Sequence, residues 1–271
     1  MKIHHLNCGS MAKIEGTYAQ AAPAHTVNHC LLVETADELV LVETGLGLAN
    51  VRDPEGTLEA DWVRFAQPVL DEQETAVRQI ERLGYSAGDV GHILLTHLDV
   101  DHSGGLPDFP EAKVHVHAAE LDAALAESAA GRYRPAHWAH GPKWVSYNPE
   151  PGDEWFGFTA AVPVGLGPDF RLVPLRGHTP GHMGVAVRQD DRWLLHCGDA
   201  YYYHRELDLP PQPHPVLDIL QQSAEFDRDL RLGTQARLRE LTRTHPEQIT
   251  LFNAHDPWDL QHHQNGSPAM H

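Results

Sequence analysis

Residues Thr96 to Leu106 read Thr-His-Leu-Asp-Val-Asp-His-Ser-Gly-Gly-Leu, which places His97, Asp99, Asp101 and His102 within six residues. Four imidazole and carboxylate donors this close together cannot all reach one small ion without strain. In an extended stretch, residues two apart face the same way, so His97 and Asp99 can serve one metal while the adjacent Asp101-His102 pair turns to another. The spacing predicts two metals. The apolar run His92 to Thr96 just before the cluster reads as a buried strand. A strand that runs into a polar, glycine-containing loop is where α/β folds place their chemistry.

Working outward, each further donor also follows a strand. Phe170 to Leu175 leads into Gly177-His178-Thr179-Pro180-Gly181-His182, a turn that glycine and proline make rigid. Trp193 to His196 leads into Cys197-Gly198-Asp199, and Ile249 to Phe252 leads to His255. The candidate ligands are thus the histidines 97, 102, 178 and 255 with the carboxylates Asp99, Asp101 and Asp199, enough for two sites with open positions.

The rest of the chain supplies a frame. Cys30 to Thr35 and Leu39 to Thr44 predict a hairpin, Arg52 to Ala60 a loop, and Asp71 to Leu83 a helix stopped by Gly84. Lys113 to His117 predicts a strand and Ala118 to Ser128 a helix. Residues 129 to 168 crowd aromatics, proline and glycine with little periodicity, and read either as a long self-packed loop or as a substrate-covering insertion. Val185 to Arg188 is a further strand, and Val216 to Thr244 reads as one long helical segment.

Composition bounds the function. The 271 residues carry 20 Lys plus Arg against 38 Asp plus Glu, a formal charge of -18, with 41% hydrophobic and 21% charged residues. That is the profile of a soluble globular chain, read as a single domain over 1–271. Its acidity argues against nucleic acid or an anionic membrane as partner, although Arg228, Arg231, Arg237, Arg239 and Arg243 gather on the last long helix. Neither a leader nor a membrane-length apolar run is visible, so a cytoplasmic location is expected. Cys8, Cys30 and Cys197 have no CxxC spacing and read as small buried hydrophobes. Histidine is in excess, at 21 residues.

The order HxDxDH, GHTPGH, GD and a C-terminal Ala-His-Asp-Pro resembles the metallo-β-lactamase fold superfamily, whose usual signature begins HxHxDH. The resemblance covers about residues 28 to 258. It implies an α/β fold, an αββα sandwich of two similar halves with a dinuclear site at the strand ends. Carried over by position, His97, Asp99 and His178 would bind the first metal and Asp101, His102 and His255 the second, with Asp199 bridging. Glu43 stands where the family usually has the Asp of a DTG turn, a position that orients a ligand. Asp99 stands where the family usually has a second histidine. A carboxylate there adds charge and a hard oxygen donor, so zinc is expected with iron or manganese open. The flavodiiron branch also carries a carboxylate at this place, in HxExDH, but its members need a flavodoxin domain for which this length leaves no room.

The function so implied is hydrolysis by a metal-bridging hydroxide. The closest motif style is that of the acyl-homoserine lactonase-like branch, in which a tyrosine three residues after the bridging Asp hydrogen-bonds the substrate carbonyl. Tyr202 has that spacing from Asp199. Asp101 and Tyr202 are therefore the expected catalytic residues, and a small lactone or related ester is the expected substrate. A phosphodiesterase or nuclease, an iron oxidoreductase, a non-catalytic metal-binding member and a homodimeric state all stay open.

Overall fold

The computed structural model describes residues 1–16, 22–36, 38–126, 131–148, 152–167 and 169–266. The chain divides into two compact units, residues 1–116 with 121–145, and residues 117–120 with 146–271.

The first unit is built on a six-stranded sheet whose spatial order is Lys2–Asn7, His29–Glu34, Leu39–Val42, Val90–Leu94, Lys113–His117 and Lys143–Tyr147. The hairpin of His29–Glu34 and Leu39–Val42 is antiparallel as expected, while Leu39–Val42, Val90–Leu94 and Lys113–His117 run parallel. Parallel strands covered on both faces need near-continuous apolar runs, and Leu39–Val42 is buried throughout. The crossover between the first parallel pair contains the helix Ala76–Arg82, which buries Ala76, Val77 and Ile80 on one face. These pack with Leu32, Leu41, Ile93, Val114 and Tyr133 into one core.

The second unit carries a six-stranded sheet in the order Ile249–Phe252, Arg192–His196, Met183–Gln189, Phe170–Pro174, Phe158–Pro163 and Asp153–Trp155. Its first pair is parallel and the others are antiparallel. The helix Arg228–Thr244 starts where the Asp227 side chain accepts the Leu230 N–H, and it turns Leu238 and Leu241 into the core.

Four local readings change, the first being the helix expected over 71–83, which is a 3-10 turn Glu72–Glu74 and a helix Ala76–Arg82 separated by Thr75 in an extended conformation. Residues 52–60 are not all loop, because the helix Leu48–Arg52 runs into them and Pro54–Thr57 forms a helical turn capped by Asp53. The expected helix of 216–244 is two, Pro215–Ala224 and Arg228–Thr244. The aperiodic stretch 129–168, in so far as it is described, contributes the strands Lys143–Tyr147, Asp153–Trp155 and Phe158–Pro163 to the two sheets. Its periodicity is hidden because the register shifts between Phe158 and Ala161, with Ala160 at φ 65°, and such a bulge breaks the two-residue alternation. Its aromatics are structural in part: Tyr133, Trp155 and Phe158 are buried in the two cores. The helix after Lys113–His117 is described over Ala118–Ala126, and the remainder to Ser128 lies outside the described residues.

All three cysteines are buried and free. No helix among the described residues is long and apolar enough to cross a membrane.

Candidate metal centre

In the first unit the acidic loop is organised by Glu43, at the end of Leu39–Val42. Its backbone is left-handed, φ 63°, a conformation that costs a non-glycine residue about 1–3 kcal/mol. Two bonds offset this: Oε1 accepts the Thr96 N–H at 2.5 Å, and Oε2 pairs with His102 Nδ1 at 2.8 Å. The carboxylate holds the proton of the imidazole on Nδ1 and so presents Nε2 as a lone-pair donor. Thr44 Oγ1 donates to the His102 carbonyl at 2.7 Å and accepts from the Gly105 N–H at 3.1 Å. Gly105 must be glycine here, since a Cβ would fall 2.8 Å from the Thr44 carbonyl oxygen.

The cluster is not extended throughout. Val100–Ser103 forms a helical turn with Asp99 as its N-cap residue. His97 and Asp99 nonetheless face each other, with Nε2 3.4 Å from Oδ2. The His97 and His102 rings lie 3.9 Å apart.

Two further side chains, neither of them in a ligand motif of the sequence, act on this loop. Arg132 reaches Asp99 from 33 residues away and grips both oxygens, Nε to Oδ1 at 2.7 Å and Nη2 to Oδ2 at 2.9 Å. His137, fully buried, lies 3.0 Å from both Asn50 Nδ2 and Ser103 Oγ, and Ser103 Oγ donates in turn to the Asp99 carbonyl at 3.0 Å. Asn50 Nδ2 can only donate, so His137 Nε2 accepts and Nδ1 carries the proton. Burial, with a smaller contribution from Arg134, pushes the His137 pKa down to about 3, which keeps that relay neutral.

In the second unit His178, Asp199 and His255 come together. Asp199 Oδ2 lies 3.3 Å from His178 Nε2, and His255 Nε2 lies 3.1 Å from Oδ1 and 3.2 Å from Oδ2. The Gly177–His182 turn is seated tightly: Gly177 has φ 133°, and a Cβ on it would lie 2.3 Å from the Arg231 backbone nitrogen. His182, the second histidine of that motif, accepts the Asp199 N–H on Nε2 at 3.0 Å and donates from Nδ1 to the Leu175 carbonyl at 2.8 Å. Asn253 Oδ1 accepts the His255 and Asp256 N–H groups at 2.8 and 3.0 Å.

Tyr202 places its ring 5.1 Å from that of His255 and 6.2 Å from that of His178. Its backbone is held by Glu206, whose Oε1 accepts the Tyr202 and Tyr203 N–H groups at 3.1 and 3.0 Å. Glu206 Oε2 accepts from Gln221 and Gln235 at 2.9 and 3.1 Å. Burial raises the Glu206 pKa against these bonds. Other histidines of the surplus are bound into the structure: His204 pairs with Asp256 at 2.7 Å and His214 caps the helix Pro215–Ala224.

The donors fit a divalent metal. Two ligands about 2.0–2.1 Å from one tetrahedral ion stand about 3.3–3.4 Å apart. The His97–Asp99 separation of 3.4 Å and the His178–Asp199 separation of 3.3 Å match it. The Asp199 carboxylate stands within 3.3 Å of both imidazoles.

Comparison with known proteins agrees with this chemistry. Residues 25–259 match the family model of the metallo-beta-lactamase superfamily. The chain is 43% identical to a probable metallo-hydrolase of Mycobacterium tuberculosis, over 95% of this chain and 81% of that protein. It is 26% identical to N-acyl homoserine lactonase AiiA of Bacillus thuringiensis subsp. kurstaki, over 84% of this chain and 80% of that one. An N-acyl homoserine lactone hydrolase, solved with the product N-hexanoyl-L-homoserine at its catalytic metal center, superposes with a TM-score of 0.70 at 22% identity, covering 96% of this chain and 95% of that chain. The fold is the one the motifs imply, and the chain belongs to the metallo-beta-lactamase superfamily.

Proposed function

We propose that this protein is a hydrolase that uses two divalent metal ions to open a lactone or a related ester. The observation that carries the reading is the placement of Asp199, one buried carboxylate within 3.3 Å of both His178 Nε2 and His255 Nε2. We assign His97, Asp99 and His178 to one ion, Asp101, His102 and His255 to the second, and Asp199 to both. The four imidazoles favour zinc, and the Asp99 oxygen leaves iron or manganese open. A pair of such ions, when bound, would supply a water ionised near neutral pH and polarise the carbonyl under attack.

The side chains supply the rest. Glu43 and His182 hold His102 and Asp199 in place, so that no reorganisation is needed when substrate arrives. Tyr202 donates its phenolic hydrogen to the substrate carbonyl oxygen as negative charge develops there, worth about two orders of magnitude in rate. Asp101 would take the proton lost by the attacking water as its oxygen bonds the acyl carbon, and pass it to the alkoxide oxygen released when the acyl C–O bond breaks. One water is consumed, and a lactone gives the corresponding hydroxy acid.

Similarity to an N-acyl homoserine lactonase supports a lactone as substrate class. The arginines that could have held a phosphodiester backbone are engaged within the second unit. Arg228 and Arg231 pair with Glu225, Arg243 pairs with Glu240, Arg239 donates to the Glu206 carbonyl, and Arg237 lies 4.5 Å over the Phe158 ring. The test is a pH-indicator screen of lactones, thioesters and phosphodiesters with metal analysis of the same sample. Metal-dependent turnover of lactones supports the proposal, whereas turnover confined to phosphodiesters contradicts it.

A further inference from the structure

The loop differs from the usual signature at one ligand, Asp99, and the structure answers that difference with a second residue. Histidine is neutral as a ligand and Asp99 carries a full negative charge. Arg132 closes on it in a fork, with Nε and Nη2 at 2.7 and 2.9 Å from the two oxygens. The Asp99 and Arg132 side chains are only 14% and 25% exposed, so solvent screens the pair weakly. We infer that Asp99 and Arg132 form one electrically neutral unit that stands in for a histidine, with Arg132 as a positioning residue of the metal centre. This rests on the metal-centre reading above.

Charge and geometry agree. With histidine at position 99, the carboxylates among the assigned ligands would be Asp101 and Asp199, a total of -2. Here Asp99 brings them to -3 and Arg132 returns the sum to -2. A guanidinium stays protonated at any working pH, so the compensation does not lapse as pH changes. An ionised carboxylate offers about four acceptor sites and the fork uses two, so the pairing is compatible with a bond from Asp99 to a metal. The fork also fixes the plane of the carboxylate, as a hydrogen bond to a carbonyl or carboxylate fixes a ligating imidazole. Lysine, a single point charge, would compensate without orienting. Added negative charge at position 99 therefore no longer favours iron or manganese, and only the oxygen donor itself does.

Asp99→His restores the usual signature yet leaves the Arg132 cation beside an incoming dication. Zinc affinity, read by competition with a chromophoric chelator on metal-stripped protein, is expected to fall by about tenfold or more. Adding Arg132→Gln to that variant is expected to return affinity to within about threefold of wild type. Circular dichroism of the metal-free proteins follows the fold; should Asp99→His not fold, Asp99→Asn with and without Arg132→Gln reads the same rescue. The inference is overturned if Asp99→His binds zinc as tightly as wild type, or if Arg132→Gln brings no recovery. A wild-type protein that binds neither zinc, iron nor manganese would overturn the metal centre as well; wild-type zinc binding with an unaffected Asp99→His would overturn this inference alone.

Discussion

His182 holds Asp199 by its backbone, with the imidazole Nε2 accepting the Asp199 N–H at 3.0 Å while Nδ1 donates to the Leu175 carbonyl at 2.8 Å. The carboxylate assigned to both metals is thereby tied to the end of Phe170–Pro174 as well as to its own strand. His182→Ala leaves the Asp199 N–H and the Leu175 carbonyl without this partner in a buried place. It should destabilise the metal-free protein by about 1–3 kcal/mol in urea unfolding. It should also weaken metal binding by about 10- to 100-fold in chelator competition. Unchanged affinity would show that the tie does not position Asp199.

Glu43 controls which nitrogen His102 presents. Glu43→Gln keeps the shape of the side chain but can place an amide N–H against Nδ1, moving the imidazole proton to Nε2 and removing the donor lone pair. Metal affinity should fall by about 10- to 100-fold, while thermal unfolding of the metal-free protein moves little. Equal losses in both measurements would make Glu43 a structural residue only.

Tyr202→Phe should lower kcat on a responsive lactone by about 100-fold with metal content unchanged. An unaltered rate would mean that the ring serves packing against His255 and His178. Its support is separable. Glu206→Leu strands the buried Tyr202 and Tyr203 N–H groups and should cost about 2–4 kcal/mol of stability by urea unfolding, whatever the substrate.

Acid should loosen the first unit. His115, hydrogen-bonded to His92 at 2.6 Å, has its pKa lowered to about 4 by burial and by His92, and burial with Arg134 lowers His137 to about 3. A base with a depressed folded-state pKa favours the neutral form, so the unfolded chain takes up more protons below its own pKa of about 6.5. The stability these groups contribute is present above that pH and is lost as pH falls toward 4. Asp108 acts oppositely, because burial raises its pKa to about 6 and folding gains as pH drops from there to its unfolded value near 3.8. Burial likewise lowers His92, His140 and His262 and raises Glu206 and Asp259, so with five depressed histidines against three raised carboxyls the urea midpoint of metal-free protein should be lower at pH 5 than at pH 7.5. His115→Asn should shrink the difference, and an identical midpoint at both pH values would contradict the assignment.

The seven ligand candidates were legible because each stands in a short motif after a strand, where the chain must present polar groups in a fixed turn. Arg132 was not, since 33 residues separate it from Asp99 and only the folded unit brings them together. The same holds for His137, whose contacts with Asn50 and Ser103 span 87 and 34 residues. His182 was quoted as part of a motif yet has no spacing rule that ties it to Asp199. The strands within 143–163 were missed for a different reason, a bulge that interrupts the alternation by which strands are read. The single long helix expected over 216–244 failed at Glu225 to Asp227, where Asp227 begins a new helix by capping Leu230.

The most direct test of the central claim is metal stoichiometry, measured on metal-stripped protein titrated with zinc and on the Asp199→Ala variant treated identically. Wild type should bind two zinc ions per chain and Asp199→Ala fewer, with lactone hydrolysis appearing in step with the second ion. Fewer than two ions in wild type, or two ions and full hydrolysis in Asp199→Ala, would contradict a dinuclear centre joined through Asp199.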